Sequence, residues 1–389
     1  MLEFRTAGES HGKCLIAIIE GFPAGILIET SGINKELKRR QGGFGRGARM
    51  QIEHDEVEIL SGTRKGMSLG SPICLRIKNS DYSIDRLPAL TRPRPGHADL
   101  AGVMKYNQVD ARNILERASA RETAARVAAG ALAKMLLGFF SIEVLGYVKE
   151  IGGIKSRVIP CLKAGTSLCE PEKMRSIRDQ SKLYCLDKTA EKDMIEKINR
   201  AKKDGDSVGG VFEVMAFDVP PGLGSYSQWN TRLDGRLAQA LMSIQAIKGV
   251  EIGLGFAVSK KSGSEVHDEI VYDAAETDIS ISGGFQRLTN NAGGIEGGIS
   301  NGQPIIVRAA MKPIPTLKKP LKSVDIVTKE PQIAAAERSD VCAVPAASVV
   351  GEAAVAFEIA RAFMEKFGGD HILETSRNYE GYLNQVKSM

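Results

Sequence analysis

Small and apolar residues recur at helical spacing through Ala124, Val127, Ala128, Ala131, Leu132, Met135 and Leu136, so this stretch predicts a helix with one apolar face. Ser119 and Glu122 stand three apart just before it. That is the spacing of a capping box, and it places the helix start near Ala120, with Gly138 as a stop. A face so rich in alanine lets a neighbour approach closely, so the helix is expected at the centre of the fold.

Elsewhere, apolar runs bounded by glycine and proline predict strands: residues 14–20 (CLIAIIE), 57–62 (VEILSG), 71–79 (SPICLRIKN), 208–224, 250–263 and 305–316. SIEVLGYVKEIGGI, 141–154, reads as a strand pair. Longer periodicities predict helices over 33–41, over 191–206 with an amphipathic charged pattern, and over 229–249 from Trp229 to Gly249. A further long helix opens with Pro345 in its first turn and ends at Gly368 and Gly369. The expected class is α+β. The chain reads as a single domain over 1–389, with two halves of similar element order meeting near the charged stretch 166–205.

Composition narrows the chemistry. A formal charge of +5 is small for 389 residues and does not indicate nucleic acid by itself. The six cysteines form no CxxC pair, which predicts reduced thiols, and five histidines make no metal-ligand pattern. The N-terminus lacks a signal-peptide core and no apolar run reaches about 20 residues, so a cytoplasmic protein off the membrane is expected. GxGxxG after a strand, GxxxxGK[ST] and HExxH are absent.

Candidate chemistry lies in the arginine and glycine clusters. GGFGRGARM, 42–50, interleaves glycines with Arg46 and Arg49, and with Arg40 could fold guanidiniums onto one anion; an RGG-type nucleic-acid-binding segment is the competing reading. Arg117 and Arg121 flank a helix start that favours anions, or else pair with Glu116 and Glu122. Pro93, Pro95 and Gly96 hold the backbone before His97, and His11 sits beside Ser10 in a turn. The glycine-rich stretch 282–302 suggests a backbone wall around a ligand or a loose loop.

In order along the chain, GESHG, RRQGGFGRGARM, RPRPGHADLAGVMKY, LERASARETAARVAAGA, SIQAIKGVEIGLGF, NNAGGIEGGISNG, KPIPT and RSDVCAVPAASVVGEAAVA closely resemble the chorismate synthase family. The resemblance implies a β-α-β sandwich, long helices held between antiparallel sheets, and a homotetramer. It implies an anti 1,4-elimination in which 5-enolpyruvylshikimate 3-phosphate loses phosphate and a C6 proton to give chorismate, with reduced FMN required. Electrons for the flavin would come from NADPH on the same protein or from an external flavin reductase.

By the same resemblance Ser10, Arg40, Arg46, Arg49 and Arg121 hold the substrate anions, Arg40 and Arg46 alternatively serving NADPH. His11 stands at the leaving phosphate, His97 at the flavin N1 edge and Asp340 near flavin N5. The flavin contacts are Arg117, Ala118, Ser119, Gln245, Ala246, Gly297, Lys312, Pro313, Ile314, Pro315, Thr316 and Arg338. The loop at about 79–91 is short beside many family members, which bears on lid details and not on chemistry.

Overall fold

The computed structural model describes residues 1–47, 53–158, 170–278, 280–335, 337 and 339–389. Strands β1 (Glu3–Ala7), β2 (Cys14–Glu20), β3 (Val57–Ser61) and β4 (Ile73–Lys78) form an antiparallel sheet in the order β1-β2-β4-β3. Leu15, Ala17 and Ile19 alternate inward along β2, opposite Ile73, Leu75 and Ile77 of β4, as the period of two requires.

A second antiparallel sheet comprises β5 (Glu143–Ile151), β6 (Ile154–Lys155), β7 (Gly210–Phe217), β8 (Ile247–Ile252) and β9 (Ile305–Met311), in the order β8-β9-β7-β5-β6. The strand pair expected over 141–154 is β5 with β6.

Four helices dominate the core: α1 (Thr30–Gln41), α2 (Thr123–Phe139), α3 (Leu233–Met242) and α4 (Val344–Phe367). Helix α2 packs on β2 and β4 of the first sheet, α4 packs on β5 and β7 of the second, and α2 and α4 pack on each other. A Cβ added at Gly130 would lie 2.4 Å from Ala353 Cβ and 2.7 Å from its carbonyl oxygen, so glycine sets how closely the two helices approach. One apolar core runs from Leu2 to Tyr379 and takes in residues of both sheets and all four helices.

Three expectations need correction. The capping box does not form: Ser119 Oγ accepts from Arg121 N in a 3-10 turn over Ala120–Glu122, while Glu122 turns to Thr6, Arg126 and Gln245. Helix α2 therefore begins at Thr123 and runs through Gly138 to Phe139. The helix expected over 229–249 spans Leu233–Met242, because Ile247–Ile252 is taken into the second sheet by β9. Beyond Ile252 the stretch expected to stay extended to 263 turns into a 3-10 segment, Gly255–Lys260. Beyond the glycine pair that ends α4, a further helix, Ile372–Lys387, adds to the elements expected from the sequence. Among the described residues no helix is long and apolar enough to cross a membrane.

Candidate active site

The last turn of α1 carries Lys38, Arg39 and Arg40, and the two arginines point opposite ways. Arg39 is drawn into the core by a bidentate pair with Glu352 of α4, which also takes Lys134 and Arg178. Those cations hold the Glu352 carboxyl well below its ordinary range despite full burial. Arg40 turns to the other side, donating Nε to Thr123 Oγ1 (2.9 Å), Nη2 to Ala120 O (2.8 Å) and Nη1 to Asp55 Oδ2 (3.3 Å). Burial pushes its pKa down to about 10, opposed by Asp55 and aided by Arg121 and Arg46. It stays charged at neutral pH.

Asp55 bridges Arg40 to Arg121, whose Nη1 lies 2.5 Å from Asp55 Oδ1 and whose Nε donates to Asn79 Oδ1. Arg121 Nη2 is buried with no hydrogen-bond acceptor, 3.7 Å from Glu53. A buried donor of this kind is suited to an arriving anion. The glycines of the following loop allow its close packing: Gly43 and Gly45 take φ of 95° and 98°, and added Cβ atoms would meet Pro345 and Cys342 at 2.6 and 3.0 Å. Arg46 is thereby carried to Asp340 (2.7 Å), whose other oxygen accepts from Gly47 N–H.

His11 receives Glu116 on one side: both carboxylate oxygens lie within 3.1 Å of its Nδ1, and its backbone N–H donates to the same group. Burial alone would raise the Glu116 carboxyl, but these bonds and nearby Arg112 hold it below its usual value. His97 Nδ1 stands 2.5 Å from Asp99 Oδ1, with Asp99 fully buried in the first turn of the helix Asp99–Tyr106. Arg94 clamps Asp99 through Nε and Nη2 and reaches Thr316 through Nη1. Against the opposing effect of burial, His97 and Arg94 keep Asp99 well below the carboxylate range.

These groups line one cavity of about 620 Å³. It holds Ser10, His11, Arg40, Arg46, Arg121, His97 and Asp340, together with Ala118, Ser119, Gln245, Ala246, Lys312, Ile314, Pro315 and Thr316. Ile244, Met311, Ala343, Ala346, Ala347 and Val350 supply an apolar stretch of its lining. Ala246 takes φ of 69°, a left-handed conformation that a non-glycine residue adopts at some cost, and it lies at this site.

Not every expected residue arrives. Arg117 is exposed and ties its helix to the first strand, donating to Thr6 O, Thr6 Oγ1 and Gly8 O. Pro313 and Gly297 are exposed and do not line the cavity. The glycine-rich stretch around Gly297 folds into small hairpins instead of a wall, pairing Ile295–Glu296 with Ile299–Ser300. Arg49 and Arg338 lie outside the described residues. Arg121 pairs with Asp55 and not with Glu116 or Glu122, and Arg46 faces the cavity, so the described part of the glycine loop gives the RGG reading no support. Among the described residues, no group of three or more His, Cys, Asp or Glu converges as a metal ion would require.

Sequence reasoning missed Asp55, Glu53, Arg94, Asp99 and Glu116 as site components. The one available signal was the HxD spacing of His97 and Asp99.

The family model described as chorismate synthase matches residues 2–364. A chorismate synthase of Desulforudis audaxviator is 55% identical, covering 100% of this chain and 99% of its own length. One of Pelobacter propionicus is 56% identical over 100% of both. A crystal structure of chorismate synthase superposes with a TM-score of 0.81 at 46% identity, covering 100% of this chain and 99% of that one. With its full length accounted for by these relatives, the chain belongs to the chorismate synthase family, a family of lyases.

Proposed function

We propose that the chain converts 5-enolpyruvylshikimate 3-phosphate to chorismate and phosphate, the lyase step that closes the common part of aromatic biosynthesis. The observation that carries this reading is the convergence of Arg40, Arg46, Arg94, Arg121 and Lys312 with His11 and His97 on one cavity. A substrate with two carboxylates and a phosphate needs such a concentration of cations, and a water-poor site strengthens each contact.

The residues also fit reduced FMN. The apolar lining from Ile244 to Val350 suits a flat ring system, Gln245 Oε1 is buried without a partner and can accept from a ring N–H, and Lys312 can meet the phosphate. Ala118, Ser119, Ala246, Ile314, Pro315 and Thr316 complete that side. When bound, reduced flavin supplies transient electron density to the breaking C–O bond, which no side chain offers.

The chain's own residues do the rest. Arg40, Arg46 and Arg121 bind the anions and stabilise charge on the departing phosphate. His11, once Nε2 has also taken up a proton, gives that proton or a hydrogen bond to a phosphate oxygen, and His97 holds a proton at the ring edge. Asp340 spends both oxygens on Arg46 and Gly47. An anion that draws Arg46 away therefore frees Asp340 to assist removal of the C6 proton.

The packing order of sheet, helix, helix and sheet supports the β-α-β sandwich, and the shared core from Leu2 to Tyr379 supports one domain. A homotetramer in the cytoplasm, with flavin reduced by NADPH or an external reductase, belongs to the same reading. The test is anaerobic mixing with substrate and dithionite-reduced FMN against an oxidised-FMN control. Release of chorismate and phosphate only with reduced flavin is expected, and repeating it with NADPH as sole reductant decides whether reduction is intrinsic. No release despite saturable flavin binding would overturn the substrate assignment.

A further inference from the structure

Both histidines of the cavity are backed by a buried carboxylate, from unrelated parts of the chain. Glu116 comes from the helix Arg112–Ala118, 105 residues from His11, and is itself fixed by the His11 backbone N–H and by Arg112 at 3.9 Å. Asp99 is fixed by its three contacts with Arg94, one of them from the Arg94 backbone N–H. In each case the carboxylate meets Nδ1, leaving Nε2 as the ring nitrogen available to the cavity.

We infer that Glu116 and Asp99 are positioning residues that hold His11 and His97 as Nδ1–H tautomers, so that both present Nε2 to the reacting molecules. The inference deepens the proposed function and rests on it for the identity of those molecules. A hydrogen bond between Nδ1 and a carboxylate oxygen requires a proton between them. Asp99 is held ionised, so that proton resides on the ring. Arg94 Nη2 also approaches His97 Nδ1 at 3.1 Å and could donate to it only in the other tautomer, but Nη2 already donates to Asp99 Oδ1 and the carboxylate is the nearer partner of Nδ1.

The other charged groups around the rings are consistent with this. Asp81 is 3.9 Å from His11 Nε2, too far for a hydrogen bond, and Lys312 is engaged with Gly96 O beside His97. Free histidine prefers the other tautomer, so without the carboxylates each ring would distribute between two forms and Nε2 would not be uniformly open to take up the proton it later delivers. An amide in place of the carboxylate is worse than neutral, because its NH₂ can donate to Nδ1 and select the wrong tautomer.

The test uses the full chain labelled with ¹⁵N-histidine, read by long-range ¹H–¹⁵N correlation at a pH where imidazole is neutral. The native protein is expected to show His11 and His97 as Nδ1–H. Glu116→Gln should move His11 alone toward Nε2–H, and Asp99→Asn should move His97 alone. With substrate and reduced FMN, each amide variant is expected to lose about 10²- to 10⁴-fold in kcat, the range of general acid–base work and of a carboxylate-to-amide change beside a working histidine, with KM changed less than about threefold. Glu116→Asp should recover part of the loss.

A native spectrum showing either ring as Nε2–H overturns the inference even if a variant fails to fold, and so does an amide variant with unchanged tautomer. The spectra need no turnover. An inactive native enzyme with both rings as Nδ1–H would therefore count against the proposed reaction and leave the positioning assignment in place.

Discussion

Asp55 pairs with both Arg40 and Arg121, so replacing it with asparagine tests whether the site is built around stored positive charge. The side chains of Asp55, Arg40 and Arg121 are at most 4% exposed, and the distances are 3.3 and 2.5 Å. Breaking a buried pair by removing one partner costs about 3–5 kcal/mol, since the remaining charge is left in a poor solvent. Glu53 stays within 3.7 Å of Arg121 and limits the damage on that side. With an unfolding entropy of about 2.1 cal/mol/K per residue, 389 residues give about 0.8 kcal/mol/K, so the midpoint should fall by about 4–6 °C. Added inorganic phosphate should then raise the variant's midpoint more than the native one's, because the anion supplies the missing charge. Tenfold tighter phosphate binding corresponds to about 1.4 kcal/mol of that recovery. Differential scanning fluorimetry across a phosphate titration reads both quantities. A midpoint within about 1 °C of native, or equal phosphate shifts in the two proteins, would show that Asp55 does not hold the arginines for an anion.

Four further outcomes follow from particular contacts. Arg46→Ala removes a charge-assisted contact to substrate worth about 1.5–3 kcal/mol and should raise KM about tenfold or more; an unchanged KM would take Arg46 out of the binding set. Glu352→Gln leaves Arg39, Lys134 and Arg178 without their shared carboxylate and should cost about 3–5 kcal/mol in urea unfolding, whereas a loss below about 1 kcal/mol would contradict the network. Gly130→Ala forces α2 and α4 apart and should destabilise by about 1–3 kcal/mol despite alanine's better helix propensity; a stabilised variant would show that the helices can separate freely. Asp99 has a folded pKa depressed below its ordinary 3.8, so it contributes stability above that value and loses it as pH falls further. Asp99→Asn should therefore flatten the decline of the melting temperature below about pH 4, and parallel acid profiles would refute the assignment.

The helices were legible where periodicity and local signals agree. Helix α4 starts with Pro345 in its first turn and stops at Gly368, as local chemistry dictates. The helix after Trp229 was overextended because Ile247–Ile252 has no local reason to leave a helix; its reason is β9, some sixty residues on. The site shows the same division. Arginines set among glycines and the five histidines stand out in sequence as chemically marked residues, and the family resemblance pointed to several that line the cavity. Their partners do not stand out. Glu116, Asp55 and Glu53 are ordinary carboxylates until the fold buries them against cations drawn from other elements. Buried carboxylates set what these groups can do: Asp55 keeps two guanidiniums close together, and Glu116 and Asp99 orient two imidazoles. What sequence reading captured is thus the set of groups able to meet an anion, whereas, Asp99 beside His97 apart, the carboxylates that tune them meet their partners only through long-range packing.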